Sequence, residues 1–80
     1  IAAMANDSEY GLAAYLFTND ARRIQRLTAA LDYGMVAVNR VKMTGAPVPF
    51  GGVKQSGLGR EGSRHGIEEF TEIKYVCMAA

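Results

Sequence analysis

The sequence predicts an α/β fold, and three observations carry this prediction. Two short apolar runs, residues 12–18 and 35–39, flank a run with helical spacing. A strand, a helix and a second strand in this order form a unit whose strands are expected to be parallel. A long glycine-rich segment follows, and residues 71–78 alternate in the manner of a strand.

The first element is the end of a helix. Residues 1–8 begin with an alanine-rich run and stop at residues that favour caps and turns, namely Asn6, Asp7 and Ser8. Residues 12–18 then form a short apolar run before a polar turn, the pattern of a strand buried on both faces. Because the sequence begins at Ile1 inside a helical run, we expect a piece of a longer protein.

The next element is an amphipathic helix over residues 21–33. Its apolar residues recur at helical spacing, while three arginines form a solvated face on the other side. Asn19 or Asp20 is expected to cap the start, and Gly34 to take the left-handed position after the end. Residues 35–39 then predict the second buried strand.

Residues 40–59 are irregular, and a connection of this length usually serves a function. Five of the nine glycines lie within residues 49–62, which indicates a backbone held in special conformations. Residues 57–62 match the dinucleotide pattern G-x-G-x-x-G, but that pattern requires a preceding buried strand. Residues 50–56 do not have the pattern of a buried strand. No cofactor-binding residue is therefore assigned to this segment.

The last elements are a helix over residues 60–70, with Ile67 and Phe70 facing inward, and a strand over residues 71–78. This strand has no neighbour in the sequence with which to pair. A strand with unpaired edges needs a partner, either elsewhere in a parent protein or on another subunit. We therefore divide the chain into residues 1–70 and a terminal unit of residues 71–80.

Composition excludes several classes of function. The net charge of +1 offers no general attraction for nucleic acid or an anionic membrane, and no apolar run is long enough to span a bilayer. Cys77 is the single cysteine, which excludes an internal disulfide and favours a reducing, cytoplasmic setting. Its apolar neighbours favour packing over catalysis, and His65 reads as a surface residue. No set of residues has metal-ligand spacing.

Five segments in order resemble the C-terminal end of an aldehyde dehydrogenase. They are Asn6, Tyr10–Ala13, Phe17–Thr18, Val38–Asn39 and Pro49–Gly62. The resemblance covers essentially the whole chain. Within that superfamily, residues 52–64, 66–70 and 74–77 are most similar to succinate-semialdehyde dehydrogenases.

The resemblance implies an enzyme that oxidises an aldehyde through a cysteine thiolate, with hydride transfer to NAD or NADP and hydrolysis assisted by a glutamate. It also implies that these catalytic residues and the cofactor domain lie upstream. The chain is then part of the catalytic domain, has no catalytic residue of its own, and is inactive alone. It would supply part of the substrate site and part of the subunit interface.

For the substrate site, Phe50 matches the phenylalanine that lines the family's substrate tunnel. Thr44 occupies a loop position of substrate contacts, where succinate-semialdehyde enzymes commonly carry serine to bind the carboxylate. A cation from Arg40 or Lys42 would suit an acidic aldehyde, although both residues could equally be solvated. Another small or acidic semialdehyde is the alternative substrate.

For the interface, residues 71–78 match the family's oligomerisation strand, which implies a homo-oligomer. Glu72 matches a glutamate that pairs with basic residues near this interface. Three further residues are assigned there, namely Arg60, Lys74 and Tyr75. From a different class of function, the chain could be a self-standing module that uses its terminal strand for β-augmentation.

Overall fold

A computed structural model describes residues 1–79. The elements alternate between short helices and short strands and confirm the α/β class. They are α1 (Ala2–Asn6), β1 (Tyr10–Gly11), β2 (Ala13–Leu16), α2 (Ala21–Ala30), β3 (Met35–Val38), β4 (Val53–Lys54) and α3 (Ser63–Glu68).

The strand–helix–strand unit forms as predicted. β2 and β3 pair in parallel over four positions, from Ala13 opposite Met35 to Leu16 opposite Val38. β1 and β4 form a separate antiparallel pair, in which Tyr10 lies opposite Lys54. β4 is a two-residue, partly exposed strand inside the segment that was predicted to be irregular.

Helix α2 starts and ends through side-chain caps. The Asp20 side chain accepts a hydrogen bond from the Arg23 amide at 3.1 Å, which confirms the predicted start. The prediction of a left-handed Gly34 was wrong, because the helix ends at Ala30 and Leu31 is already extended. Asn6 performs the capping instead, since its amide donates to the Ala30 carbonyl and accepts from the Asp32 amide, both at 2.8 Å.

The expectation that residues 12–18 are buried on both faces was wrong for this chain. Ala37, with 4% of its surface exposed, is the sole buried apolar residue that contributes a side chain to the core within residues 1–79. Tyr15 and Phe17 are more than half exposed. A two-stranded sheet and one ten-residue helix have too little surface to cover both faces of a strand.

Helix α3 is shorter than predicted, because Gly62 and Ser63 have positive φ values of 72° and 48° and delay its start. The inward orientation predicted for Ile67 and Phe70 was also wrong, since their exposed fractions are 72% and 91%. No helix within residues 1–79 is long and apolar enough to cross a membrane.

Residues 71–79 form no regular element, and their side chains are exposed. The predicted strand over residues 71–78 is therefore not formed within this chain. A strand is defined by its hydrogen-bonded neighbour, and nothing in residues 1–70 occupies that place. Ala80, the last residue of the predicted terminal unit, lies outside the described residues.

Candidate functional site

The glycine-rich segment, residues 50–61, closes into a loop that we call the glycine loop. Phe50 and Glu61 exchange two main-chain hydrogen bonds across its base, at 2.8 and 2.7 Å. Inside the loop, Nη1 of Arg60 donates to the carbonyls of Gly52 and Gly59 at 2.8 and 2.7 Å. The position of Phe50 is therefore fixed by its main chain and by the closure of the loop.

The glycine loop rests on main chain. A Cβ atom on Gly34 would overlap the Gly51 carbonyl oxygen and would lie 2.6 Å from the Cα of Gly52. The contact with Gly11 is also close, because a Cβ on Gly52 would lie 2.9 Å from the Gly11 carbonyl oxygen. The Gly11 amide donates to Oγ of Ser56 at 2.9 Å. These glycines permit a close approach of three backbone segments.

Gly59 has a conformational requirement for glycine, and the Glu69 side chain lies close to it. Its φ is 88°, and a Cβ atom would lie 2.5 Å from Oε2 of Glu69. The Glu69 carboxylate thus lies against the glycine loop, and Glu61 and Glu69 both line a cleft of about 350 Å³ beneath it. The interior of the loop is occupied by the protein's own guanidinium group, from Arg60.

The structure brings two pairs of the predicted substrate residues together. Thr44 and Phe50 line one cleft of about 380 Å³, together with Val48 and Glu61. Thr44 and Arg40 line a second cleft of about 270 Å³, which runs beside β3 and includes Lys42. Arg40 and Phe50 do not line the same cleft, whereas Thr44 and Val48 line both clefts. Thr44 and Arg40 are exposed, and Phe50 is half-buried.

The predicted interface residues do not meet within this chain. Glu72, Lys74 and Tyr75 lie in the exposed terminal segment, while Arg60 is half-buried in the glycine loop. The hydrogen bonds of Arg60 show a role inside this chain that sequence reasoning missed. Its assignment to the interface stays a prediction, as do those of the other three residues.

Sequence reasoning also missed the pairing of Asn39 with Thr18. The Asn39 side chain donates to the Thr18 carbonyl at 2.8 Å and accepts from the Thr18 amide at 2.9 Å. Asn39 itself has a φ of 56°. An asparagine directly after an apolar strand was the available signal, because asparagine tolerates the left-handed region better than most residues.

The fold of this chain is found in segments of solved aldehyde dehydrogenase structures. Residues 1–76 match the sequence model of the aldehyde dehydrogenase family, and the chain belongs to that family. The resemblance stated from the sequence is thus confirmed, and homologues named succinate-semialdehyde dehydrogenase are close.

Individual relatives carry different names. An aspartate-semialdehyde dehydrogenase (non-phosphorylating) of Halomonas elongata is 70% identical over 77 residues, which cover 96% of this chain and 16% of that protein. A 3-sulfolactaldehyde dehydrogenase of Pseudomonas putida is 56% identical over 75 residues, covering 94% and 15%.

Among solved structures, the crystal structure of a succinate-semialdehyde dehydrogenase from Burkholderia pseudomallei superposes with a TM-score of 0.94 at 53% identity. The match covers 99% of this chain and 16% of that one. The chain therefore spans about a sixth of the length of the relatives it matches, since the shares are 15% and 16%.

Proposed function

We propose that this chain forms part of the substrate site and of the subunit interface of an NAD(P)-dependent aldehyde dehydrogenase. The proposed substrate is a small semialdehyde with a second, anionic group, and the first candidate reaction is oxidation of succinate semialdehyde to succinate. The observation that carries the proposal is the shared cleft of Thr44 and Phe50, next to the cleft that Thr44 shares with Arg40.

Each of these residues has a proposed task. The Phe50 ring excludes water and orients a short aldehyde along the cleft. The Thr44 hydroxyl donates a hydrogen bond to the distal carboxylate. Arg40 and Lys42, on the other side of Thr44, provide positive charge that favours an anionic substrate.

The nicotinamide cofactor belongs to a part of the parent protein outside this chain. The glycine loop does not fit a dinucleotide, despite its G-x-G-x-x-G pattern, because two of its carbonyl oxygens point at Arg60. The Glu69 carboxylate lies against Gly59 and lines the adjoining cleft, where it would repel phosphate. By the same proposal, the catalytic cysteine and glutamate lie outside residues 1–80, and the chain alone is inactive.

A second candidate substrate is aspartate semialdehyde, which the 70% identity to the Halomonas elongata relative favours. This compound differs from succinate semialdehyde by one ammonium group beside the carboxylate. Glu61 lines the Thr44–Phe50 cleft and is a suitable carboxylate for that ammonium group. Aspartate semialdehyde thus requires a carboxylate in this cleft to bind its ammonium group, whereas succinate semialdehyde does not.

Steady-state kinetics of the full-length parent enzyme test the proposal. The panel consists of succinate, aspartate and glutarate semialdehydes, with butanal as a neutral control of similar length. We expect kcat/KM for at least one anionic semialdehyde to exceed that for butanal by about tenfold or more, the scale of one charge-assisted hydrogen bond. Equal values for butanal and all three semialdehydes would refute the anionic preference.

The two named substrates are separated by the ranking of their kcat/KM values. The self-standing β-augmentation module, the alternative from another class, is tested by size-exclusion chromatography of the isolated 80-residue chain and by a check for an open reading frame upstream of Ile1. A continuous reading frame upstream of Ile1 would refute the self-standing module.

A further inference from the structure

Asn39 ends the parallel sheet in an unusual way. Its main-chain amide donates to the Leu16 carbonyl at 2.8 Å, which continues the β2–β3 pairing one step beyond Val38. Its φ of 56° then turns the chain out of the sheet. The next main-chain groups of β3 are therefore not available to pair with β2.

The Asn39 side chain replaces that missing main chain. Its amide nitrogen donates to the Thr18 carbonyl at 2.8 Å, and its oxygen accepts from the Thr18 amide at 2.9 Å. A primary amide carries both a donor and an acceptor, so it can pair with one residue's main chain as a neighbouring strand would. Aspartate lacks the donor, and glycine can adopt the φ value but has no side chain.

This pairing fixes the start of the segment that carries the substrate residues. Arg40 follows directly, and Thr44 lies four positions further. The far end of the segment is held by the Ser63 amide, which donates to the Ala46 carbonyl at 2.8 Å. Among the loop hydrogen bonds of residues 1–79, none engages residues 40–44. The direction of the segment is thus set at its two ends.

We propose that Asn39 is a positioning residue for the substrate anion. By pairing with Thr18 it sets the direction in which residues 40–44 leave the sheet, and it thereby places Thr44 beside Phe50 and Arg40. The proposal rests on the proposed function, because it assumes that this segment contacts the aldehyde substrate.

The test uses three substitutions in the full-length parent enzyme. Asn39→Gly keeps access to the positive φ and removes the side-chain pairing with Thr18. Asn39→Asp keeps an acceptor for the Thr18 amide but loses the donor. Asn39→Ala removes the pairing and also disfavours the positive φ. Asn19→Ala is the matched control, since Asn19 is also an exposed loop asparagine but makes no side-chain hydrogen bond within residues 1–79. KM and kcat are measured for the preferred semialdehyde, for butanal and for the nicotinamide nucleotide.

We expect Asn39→Gly to raise KM for the anionic semialdehyde by about fivefold, the scale of one lost net hydrogen bond. KM for butanal and for the nucleotide should stay at the wild-type value, because neither depends on Thr44. Asn39→Asp should raise this KM at least as much, because a carboxylate oxygen would face the Thr18 carbonyl oxygen in place of the amide donor. Asn19→Ala should leave it unchanged. If Asn39→Gly yields no folded enzyme, Asn39→Asp carries the same comparison.

Two results would overturn the inference while leaving the proposed function in place. One is an unchanged KM for the anionic semialdehyde in a folded variant. The other is an equal loss of kcat with every aldehyde, which is the behaviour of a purely structural residue. A wild-type parent that oxidises no aldehyde refutes the proposed function itself.

Discussion

Phe50 and Glu61 are joined by two main-chain hydrogen bonds, at 2.8 and 2.7 Å, across the base of the glycine loop. The pair behaves as a single isolated rung of antiparallel sheet. Because only main-chain atoms take part, the rung survives a change of either side chain. Substitutions at Phe50 therefore probe the ring and not the closure of the loop.

The first prediction concerns that ring. We expect Phe50→Ala in the parent enzyme to lower kcat/KM for its preferred aldehyde by about tenfold or more, because the substrate loses the surface that orients it. Phe50→Leu, which keeps an apolar side chain, should show a smaller loss. The thermal midpoint should change little in either variant, since Phe50 is only half-buried within this chain. Wild-type kinetics in Phe50→Ala would remove Phe50 from the substrate site.

Arg60 provides the second prediction. Arg60→Met leaves the Gly52 and Gly59 carbonyls without their donor and should reduce the free energy of unfolding by about 1–3 kcal/mol. Denaturant unfolding of the parent enzyme measures this loss, with Arg64→Met as the control, because Arg64 is exposed and donates no side-chain hydrogen bond within residues 1–79. Equal stability of the two variants would contradict a structural role. Size-exclusion chromatography of Arg60→Met separately tests its predicted place at the interface.

The third prediction concerns the contact of Gly34 with the glycine loop. A methyl group at Gly34 overlaps the Gly51 carbonyl oxygen, which belongs to main chain and cannot rotate away. We expect Gly34→Ala to reduce the free energy of unfolding by about 1–3 kcal/mol or more, as overpacked sites do. Gly45→Ala is the control, because its Cβ would meet nothing closer than 3.8 Å. A normal thermal midpoint for Gly34→Ala would show that the loop can shift freely.

The fourth prediction tests the Thr44 hydroxyl. Thr44→Val keeps the shape of the side chain and removes the donor, so we expect KM for an anionic semialdehyde to rise by about fivefold. Thr44→Ser keeps the hydroxyl and should retain the wild-type KM. The measurement is initial-rate kinetics with butanal as the neutral reference, for which both variants should match the wild type. A Thr44→Val enzyme with unchanged KM for every substrate would place the anion elsewhere.

The fifth prediction concerns assembly. We expect Glu72→Lys in the parent enzyme to weaken the oligomer and lower activity together, because it reverses the charge of a residue assigned to pair with basic groups at the interface. Light scattering during chromatography measures the oligomer, and turnover is measured on the same fractions. Glu9→Lys makes the same charge change at another exposed position and should be neutral. Unchanged size and turnover in Glu72→Lys would refute the assignment.

Local signals in the sequence predicted the parts of the fold that depend on neighbouring residues. The Asp20 cap and the apolar spacing of α2 are examples. With the apolar runs on either side of the helix, they predicted the parallel pairing of β2 and β3. Gly34 could not be predicted in the same way, because its requirement for glycine comes from Gly51, which is remote in the sequence. The same holds for Asn39, whose partner Thr18 follows β2 and is 21 positions away in the sequence.

The errors on exposure have one physical cause. The apolar character of Phe17, Ile67 and Phe70 correctly indicates surfaces that favour burial, but residues 1–79 do not contain the elements that would cover them. Of the candidate site, Thr44 and Phe50 could be assigned by resemblance, whereas their common cleft required coordinates. The two hydrogen bonds from Arg60 to the Gly52 and Gly59 carbonyls had no signal in the sequence beyond the glycines around Arg60.

The glycine loop is supported by the main chain of Gly11 and Gly34, which lies against the main chain of Gly51 and Gly52 in the loop. Because main-chain atoms make this contact, it does not depend on the side chains of neighbouring residues. The segment between Asn39 and Ala46 is held by hydrogen bonds at its two ends, at Asn39 and at Ala46. By the proposed function, we expect its exchange for the segment of another family member to alter the aldehyde preference.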